Sequence, residues 1–462
     1  MKRTRYIVFG LLFISSWLLF VTSCKIGKEY VRPELGLPDK IEVLSTDSLT
    51  IADVNWWELY TDTVLQNLIQ EALENNKDIQ LSIARLKQYM AAKRIADADM
   101  FPQIEAEIYG EKEGENPGGN NKVLSQEFEV NASLSWELDL WGNIRWGKEA
   151  ALADYLATNE ARRAVQLSII ADVADVYFTL IALDDELRIV KQTMQLRQEG
   201  VRLADLRFQG GLTSETSVQQ ARVELAKTMT LVPDLEKRIQ IAQNQLALLL
   251  GKYETNINRG KSLAEQDIPA KLPTGLPSEL LKRRPDIREA EQNLVAANAM
   301  VGMATTNRFP RLALTGEYGF VHEDLSELLK SPFWTVAGDI LTPLFAAGKL
   351  KNRQRVAEAQ YEQEIYRYQR TVLQAFQEAN NAIVTFRKRK DVYKAIATLE
   401  RATREYQKLA GLQYLNGVIG YLDLLDAQRN LFDAEIQLNN ARRDELKSLV
   451  LLYKSLGGGW TE

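Results

Sequence analysis

The 462-residue chain has a single cysteine, Cys24, and a single histidine, His322. A lone cysteine excludes a disulfide framework or a cysteine metal cluster within one chain. A lone histidine leaves histidine-based catalysis and His-rich metal sites almost nothing to use. His322 sits beside Glu323 and Asp324 in a loop-like stretch and reads as a surface residue. Charge of one sign is missing too: 57 basic and 62 acidic residues give a net charge of −5. That balance gives no support for nucleic acid as a partner. Proline is sparse, 12 residues, and none occurs after Pro343, which leaves the remaining chain free for unbroken helix. No nucleophile–base set, metal-ligand cluster or phosphate-cradling loop is present, so neither an enzyme nor a cofactor is expected.

What the chain does have is repetition. Leu206 to Leu225 reads LRFQGGLTSETSVQQARVEL, and Leu412 to Leu431 reads LQYLNGVIGYLDLLDAQRNL. Leu206 recurs as Leu412, Gly211 as Gly417, Ala221 as Ala427 and Leu225 as Leu431. Each stretch is a helical pattern, a turn at a glycine and a second helical pattern. Glycine enters the left-handed backbone conformation of such a reversal cheaply. Downstream, Leu250-Gly251 recurs as Leu456-Gly457; upstream, Phe101-Pro102 recurs as Phe309-Pro310 and Asp78-Ile79 as Asp286-Ile287. The chain therefore reads as a tandem duplication with a period of roughly 200 residues, far longer than an ordinary solenoid unit. The first repeat covers 62–252 and the second 279–462, joined by a linker over 253–278 that carries Pro269, Pro273, Gly275 and Pro277.

Lys2, Arg3 and Arg5 precede an apolar run from Tyr6 to Phe20. The run is short for a membrane span, which needs about 20 residues. It fits a secretory signal over 1–23, with an N-terminal anchor helix as the alternative. Val21-Thr22-Ser23-Cys24 resembles the bacterial lipobox, which implies lipid attachment at Cys24 and a new N-terminus there. Lys25 stands where an aspartate would resemble an inner-membrane retention signal, so the outer membrane is favoured. Residues 24–61 read as a lipid-anchored tether, packed down by Trp56-Trp57.

Within each repeat the apolar period changes. Asp62 to Asp99 keeps helical spacing, and Phe101-Pro102 ends it. From Gln126 to Leu138 the period is two, with Phe128, Val130, Ala132, Leu134, Trp136 and Leu138 alternating with polar residues. Gln103 to Tyr109 alternates likewise, with Ile104, Ala106 and Ile108 against Glu105 and Glu107. A loop rich in Gly, Asn and Pro separates the two, so 103–138 reads as a hairpin with one greasy and one polar face. A less regular hairpin is expected at 311–342. Strands this long suit a membrane barrel, which needs about 9–11 residues per strand, as well as a half-buried soluble sheet. Tyr109, Trp136, Phe320 and Trp334 near strand ends suit interfacial girdles.

Proline-free helices of about 100 Å follow each hairpin: 143–208 leading to a tip at 209–213, and 349–415 leading to a tip at 416–420. In the second, Val392, Ile396, Leu399, Thr403, Tyr406 and Ala410 fall at heptad a/d spacing. A return helix leaves each tip, Thr213 to Gly251 with a kink at Pro233, and Tyr421 to Leu456 before a C-terminal tail.

Four strands cannot close on themselves, and lipid does not tolerate open sheet edges. The smallest barrels, of about eight strands, are filled by side chains, whereas a polar face with Glu105, Glu107 and Glu129 wants water inside. Three copies would supply twelve strands under closed cyclic symmetry. The expected fold class is thus an α+β membrane protein: a homotrimer with a 12-stranded β-barrel, four strands per chain, continued by a long α-helical coiled-coil tunnel.

At this point the chain resembles the TolC/OprM family of outer-membrane efflux channels, in its lipoprotein branch. The resemblance rests on the duplicated Phe-Pro step, Leu138-Asp139-Leu140-Trp141-Gly142, Lys282-Arg283-Arg284-Pro285-Asp286-Ile287, and the tip motif from Asp423 to Gln428. It implies a trimeric outer-membrane conduit reaching into the periplasm, working with a periplasmic adaptor protein and an inner-membrane RND-type pump. It further implies that Asp423 and Asp426, with Tyr414, form the pore constriction at the periplasmic mouth, where rings of carboxylates favour cations. The adaptor would dock on the tips: Gly210, Gly211, Leu212, Thr213 and Ser214 in the first, Gly417, Val418, Ile419 and Gly420 in the second. The family's gate arginine is missing, with Ile419 in its place, and Ser217 stands where an acid can occur in the first tip, so a salt-bridge gate is not carried over. Drugs or other small toxic compounds are the expected cargo. The alternatives are metal-ion efflux, disfavoured by one histidine and seven methionines, protein secretion, or a structural coiled-coil lipoprotein without a pore.

Overall fold

The computed structural model describes residues 25–36, 55–115, 123–253, 256–266, 268 and 281–458. The main elements in chain order are α1 (Trp56–Leu59), α2 (Thr63–Asn75), α3 (Lys77–Ala98), β1 (Gln103–Glu115), β2 (Val123–Leu138), α4 (Asn143–Gln209) and α5 (Glu215–Leu249). They continue with α6 (Pro285–Thr306), β3 (Arg311–His322), β4 (Pro332–Leu341), α7 (Lys349–Leu415) and α8 (Tyr421–Ser455). These elements pack into two compact units, each drawing segments from both repeats. The first unit is Met1–Leu35, Arg85–Asn159 and Glu289–Gln369; the second is Gly36–Ala84, Glu160–Arg288 and Arg370–Glu462. Helices α4 and α7 each begin in the first unit and end in the second.

The first unit is built on one antiparallel sheet in the order β1-β2-β3-β4. Against its base the segment 25–32 is pinned. Trp146, fully buried, donates its indole N–H to the Ile26 carbonyl at 2.8 Å, and the Lys25 ammonium lies 3.3 Å from its ring centroid. Gly27 (φ +140°) lets the chain cross that ring, since a Cβ there would meet Trp146 at 2.7 Å. Arg32 forks onto Glu291 with two bonds of 2.6 Å, and Tyr30 donates to the same carboxylate.

The second unit holds the main hydrophobic core, where Leu65, Ile69, Tyr177, Leu180, Leu246 and Tyr453 are almost fully buried. Its polar centre is Asp62, 1% exposed, which caps α2 through the Val64 N–H and accepts from Tyr177 Oη, Lys261 N–H and Gln266 Nε2 at 2.8 to 3.0 Å. Burial raises this carboxyl's pKa, but the hydrogen bonds from Gln266, Tyr177 and the backbone outweigh it and hold it below the ordinary range. Trp56 is buried as expected of the tether, whereas Trp57 is 43% exposed.

Two local readings need correction. The helix expected over Asp62 to Asp99 is broken at Asn76, whose backbone is extended and whose Oδ1 accepts from Asp78 and Ile79 N–H to start α3. Local side-chain capping competes with helix propagation at such residues. The heptad residues of α7 face away from this chain's own core: Val392, Leu399 and Tyr406 are 41–44% exposed. Of the expected seam only Ala410 is buried, while Glu400, a charged residue that a pattern of apolar positions passes over, is buried and paired with Arg404. The other correction concerns Tyr109, whose register partner is Glu129. Helix α5 runs on both sides of Pro233 without interruption.

Candidate functional site

Two surfaces carry the features that a conduit needs, the sheet in the first unit and the helix reversals in the second. Directly opposed residues of an antiparallel pair share a face, so the register assigns every strand side chain. Ile104 opposes Leu134, Ile108 opposes Val130, Trp136 opposes Leu314, and Tyr318 opposes both Ala132 and Trp334. That face is apolar and uncovered: Ile104, Ile108, Trp334, Val336 and Ile340 are 70–84% exposed. A contiguous apolar face of this kind marks a surface made for lipid or a partner.

The other face carries Glu105, Glu107, Glu129, Glu137, Glu317 and Asp339, and Glu111 directly opposes Glu127. Like charges placed directly opposite repel, which an aqueous lining screens and a dry core would not. Tyr109 opposes Glu129 and thus belongs to this acidic face, so it takes no part in an aromatic girdle on the greasy side. Trp136, Phe320 and Trp334 do lie on the greasy face, where Trp136 also donates to the Met100 carbonyl at 3.1 Å.

The two reversals have the same backbone chemistry. In the first, Gly211 has φ +71°, its N–H bonds to Phe208 O at 2.9 Å, and Leu212 N–H bonds back to Arg207 O at 2.8 Å. In the second, Gly417 has φ +72°, its N–H bonds to Tyr414 O at 3.1 Å, and Val418 N–H bonds back to Gln413 O at 2.9 Å. This is the glycine-dependent helix C-cap in which the orphan carbonyls of the last turn are satisfied. Of the expected tip residues, Leu212 and Val418 project outward, 73% and 69% exposed. Thr213 donates to Ser217 Oγ, Ser214 starts α5, and Ile419 packs on the tip cluster.

Asp423 and Asp426 are exposed on α8. The Asp423 carboxylate accepts the Gly420 N–H at 3.1 Å, capping the helix, while Asp426 accepts from Tyr406 Oη at 3.3 Å and Asn430 at 2.9 Å. Tyr414 is 5% exposed and turned into its own chain's tip cluster, edge-on to Tyr421 at 6.0 Å, with its hydroxyl unpartnered. Cys24 lies outside the described residues.

The sequence reading missed two arrangements here. Arg207 on α4 stacks 4.5 Å from the Tyr414 ring centroid and donates to its carbonyl at 2.8 Å, joining one reversal to the other. Below it lies Glu224 on α5, 4% exposed, which binds Arg429 of α8, Lys227 at 3.1 Å and Arg197 of α4 at 3.5 Å. The bond from Arg429, against the cost of burial, holds this carboxyl at a pKa of about 2. Arg197 further donates to the Glu224 carbonyl at 2.9 Å and to Thr228. The tip is thus tied by charge across three helices as well as packed.

A family model described as outer membrane efflux protein matches the chain twice, over residues 68–252 and 276–458. SrpC of Pseudomonas putida, a solvent efflux pump outer membrane protein, is 36% identical over 411 residues, 87% of each chain. The cation efflux system protein CusC of Escherichia coli K12 is 30% identical over 455 residues, 96% of this chain and 97% of that one. Among solved structures, the open state of the MtrE outer membrane channel of Neisseria gonorrhoeae superposes with a TM-score of 0.88 at 31% identity, over 95% of this chain and 99% of its own.

Proposed function

The chain belongs to the outer membrane efflux protein family, and from that premise we propose that three copies close one barrel in the bacterial outer membrane and release cargo delivered by a periplasmic adaptor and an inner-membrane RND-type pump. The observation that carries this reading is the four-stranded sheet with two faces and two open edges. An open edge in lipid costs several kcal/mol per unpaired backbone group, and repeating the sheet round a symmetry axis removes both edges. The apolar face then meets lipid and the carboxylate face lines water. Further support comes from Val392, Leu399 and Tyr406, an exposed stripe on α7 available to another copy.

The conduit acts passively, without catalysis. Lipid on Cys24 supplements the barrel as an anchor, the exposed tips take the adaptor, and Asp423 and Asp426 ring the mouth. Small apolar toxicants are the proposed cargo, by likeness to the solvent efflux relative. A second reading, export of cations, is favoured by the acidic sheet face and by likeness to the cation efflux relative. Purified protein in planar bilayers is expected to give stepwise, cation-preferring conductance. Intact oligomer without conductance would overturn the reading.

A further inference from the structure

Beyond β4 the chain does not enter α7 at once. The connecting segment runs Thr342-Pro343-Leu344-Phe345-Ala346-Ala347-Gly348. Leu344 and Phe345 are 92% and 90% exposed, following Ile340 and Leu341 at 70% and 71%. Free apolar side chains of this size are normally covered. The segment is also conformationally set. Ala347 has φ 45°, the one non-glycine residue with positive φ among the described residues, and Gly348 follows at φ 79°. A left-handed alanine is disfavoured, because its Cβ crowds the following carbonyl oxygen. The turn is closed by Lys349 N–H to Ala346 O at 2.8 Å and Asn352 N–H to Gly348 O at 3.0 Å. The backbone thus presents Leu344 and Phe345 from a fixed turn.

The first unit also has a cavity of about 450 Å³ at the base of the opposite edge strand. Its lining sets Phe101, Trp136, Ile144 and Met303 against Asp99, Glu137 and Lys148. Phe101 is 68% exposed at its rim. Strand direction relates the two features. Strands β1 to β4 alternate in direction, so the start of β1 and the end of β4 lie at the same end of the sheet. When copies join edge to edge, β4 of one runs antiparallel to β1 of the next. The chain leaving Leu341 in one copy then emerges beside the chain entering Gln103 in its neighbour.

We infer that Leu344 and Phe345 of each copy seat against Phe101, at the rim of the next copy's cavity, forming a latch below the strand seam. The inference rests on the closed-barrel reading and adds to it a specific intersubunit contact outside the strands. It commits to a second copy of this chain as occupant, because that copy's edge is the neighbour to which the strand direction leads.

The test is oxidative cross-linking of the full-length Phe101→Cys/Phe345→Cys protein in membranes. Within one chain the two residues lie on opposite edges of the sheet, three strand spacings or ~14 Å apart, beyond the roughly 7 Å that a disulfide spans between Cα atoms. A disulfide therefore reports contact between copies. Cross-linked dimers and trimers on a denaturing gel, absent from Phe101→Cys or Phe345→Cys alone, each of which keeps Cys24, are expected. Gln103→Cys/Leu344→Cys serves as a second pair should the first disturb folding. Trimer by light scattering in detergent with no cross-linked ladder from either pair overturns the latch and leaves the barrel reading intact. So does quenching of a Phe345→Trp emission by brominated lipid within such trimers, which would seat the side chain in the bilayer. A monomer by light scattering overturns the closed barrel itself, and the latch with it.

Discussion

Replacing Glu224 by glutamine isolates the buried charge cluster below the tips. The carboxylate's pKa falls from an ordinary 4.5 to about 2 in the folded chain, chiefly through the bond from Arg429. A group whose folded pKa is depressed stabilises the fold above its unfolded pKa, and that stability is lost as pH falls through the folded value. The contribution is thus complete above about pH 4.5 and disappears toward pH 2. At about 1.4 kcal/mol per unit, the shift corresponds to roughly 3 kcal/mol at neutral pH. At pH 7, Glu224→Gln should cost about that much, because Arg197, 8% exposed, loses its ion-pair partner. Other carboxylates also titrate in acid, so the informative quantity is the difference between wild type and variant. It should shrink to less than half by about pH 3. Unfolding followed by far-ultraviolet circular dichroism in detergent, at matched pH values from 7 to 3, measures it. A difference that stays constant over that range would refute the reasoning: the loss would then come from packing, and the carboxylate's charge would contribute nothing.

Four further outcomes are expected. Cys24→Ala should change the mass of the mature protein by the lost lipid and weaken membrane retention; an unmodified Cys24 in the wild-type mass spectrum would remove the anchor. Gly211→Trp and Gly417→Trp place a large side chain at φ +71° and +72° on exposed reversals, and should abolish export while trimers persist; normal export by both would exclude adaptor docking there. Asp423→Ala/Asp426→Ala should lower cation selectivity and relieve block by trivalent cations in single-channel recordings, and unchanged recordings would put the constriction elsewhere. Arg207→Ala removes the stacking and the 2.8 Å bond to the Tyr414 carbonyl, a loss of about 1–3 kcal/mol; faster protease cleavage near Gly417, with unchanged cleavage elsewhere, is the expected sign.

The legible part of this chain was the part written in periods. Alternation of two gave the strands and their faces, and the paired glycines gave both reversals, because left-handed backbone leaves few other residues to choose from. The long helices ended where Gly210 and Asn416 follow Gln209 and Leu415, within a residue of the sequence reading. What stayed hidden was charge in partly buried places. Arg197, Arg207 and Glu224 belong to no period or motif, and their counterparts one repeat later are Thr403, Gln413 and Asn430. The cluster they form breaks the duplication, so comparing the repeats could not reveal it. Arg284 shows the opposite case. Its Arg-Pro-Asp setting stood out in sequence, but only the fold explains it: the guanidinium is 8% exposed and bonds to Asp286, Glu378 and the Ser455 carbonyl.

The pinned segment at residues 25–32 bears on how the folded chain would meet a bilayer. Cys24 is one peptide unit, about 3.8 Å between Cα atoms, from Lys25, whose ammonium is already seated on Trp146. A long slack leader would let an acyl group wander and dilute its effect with the volume it explores. Here the slack is one residue, so a group carried by Cys24 would be held at the root of the strands. Depth of insertion would then be set by the folded protein, as a keel sets draught.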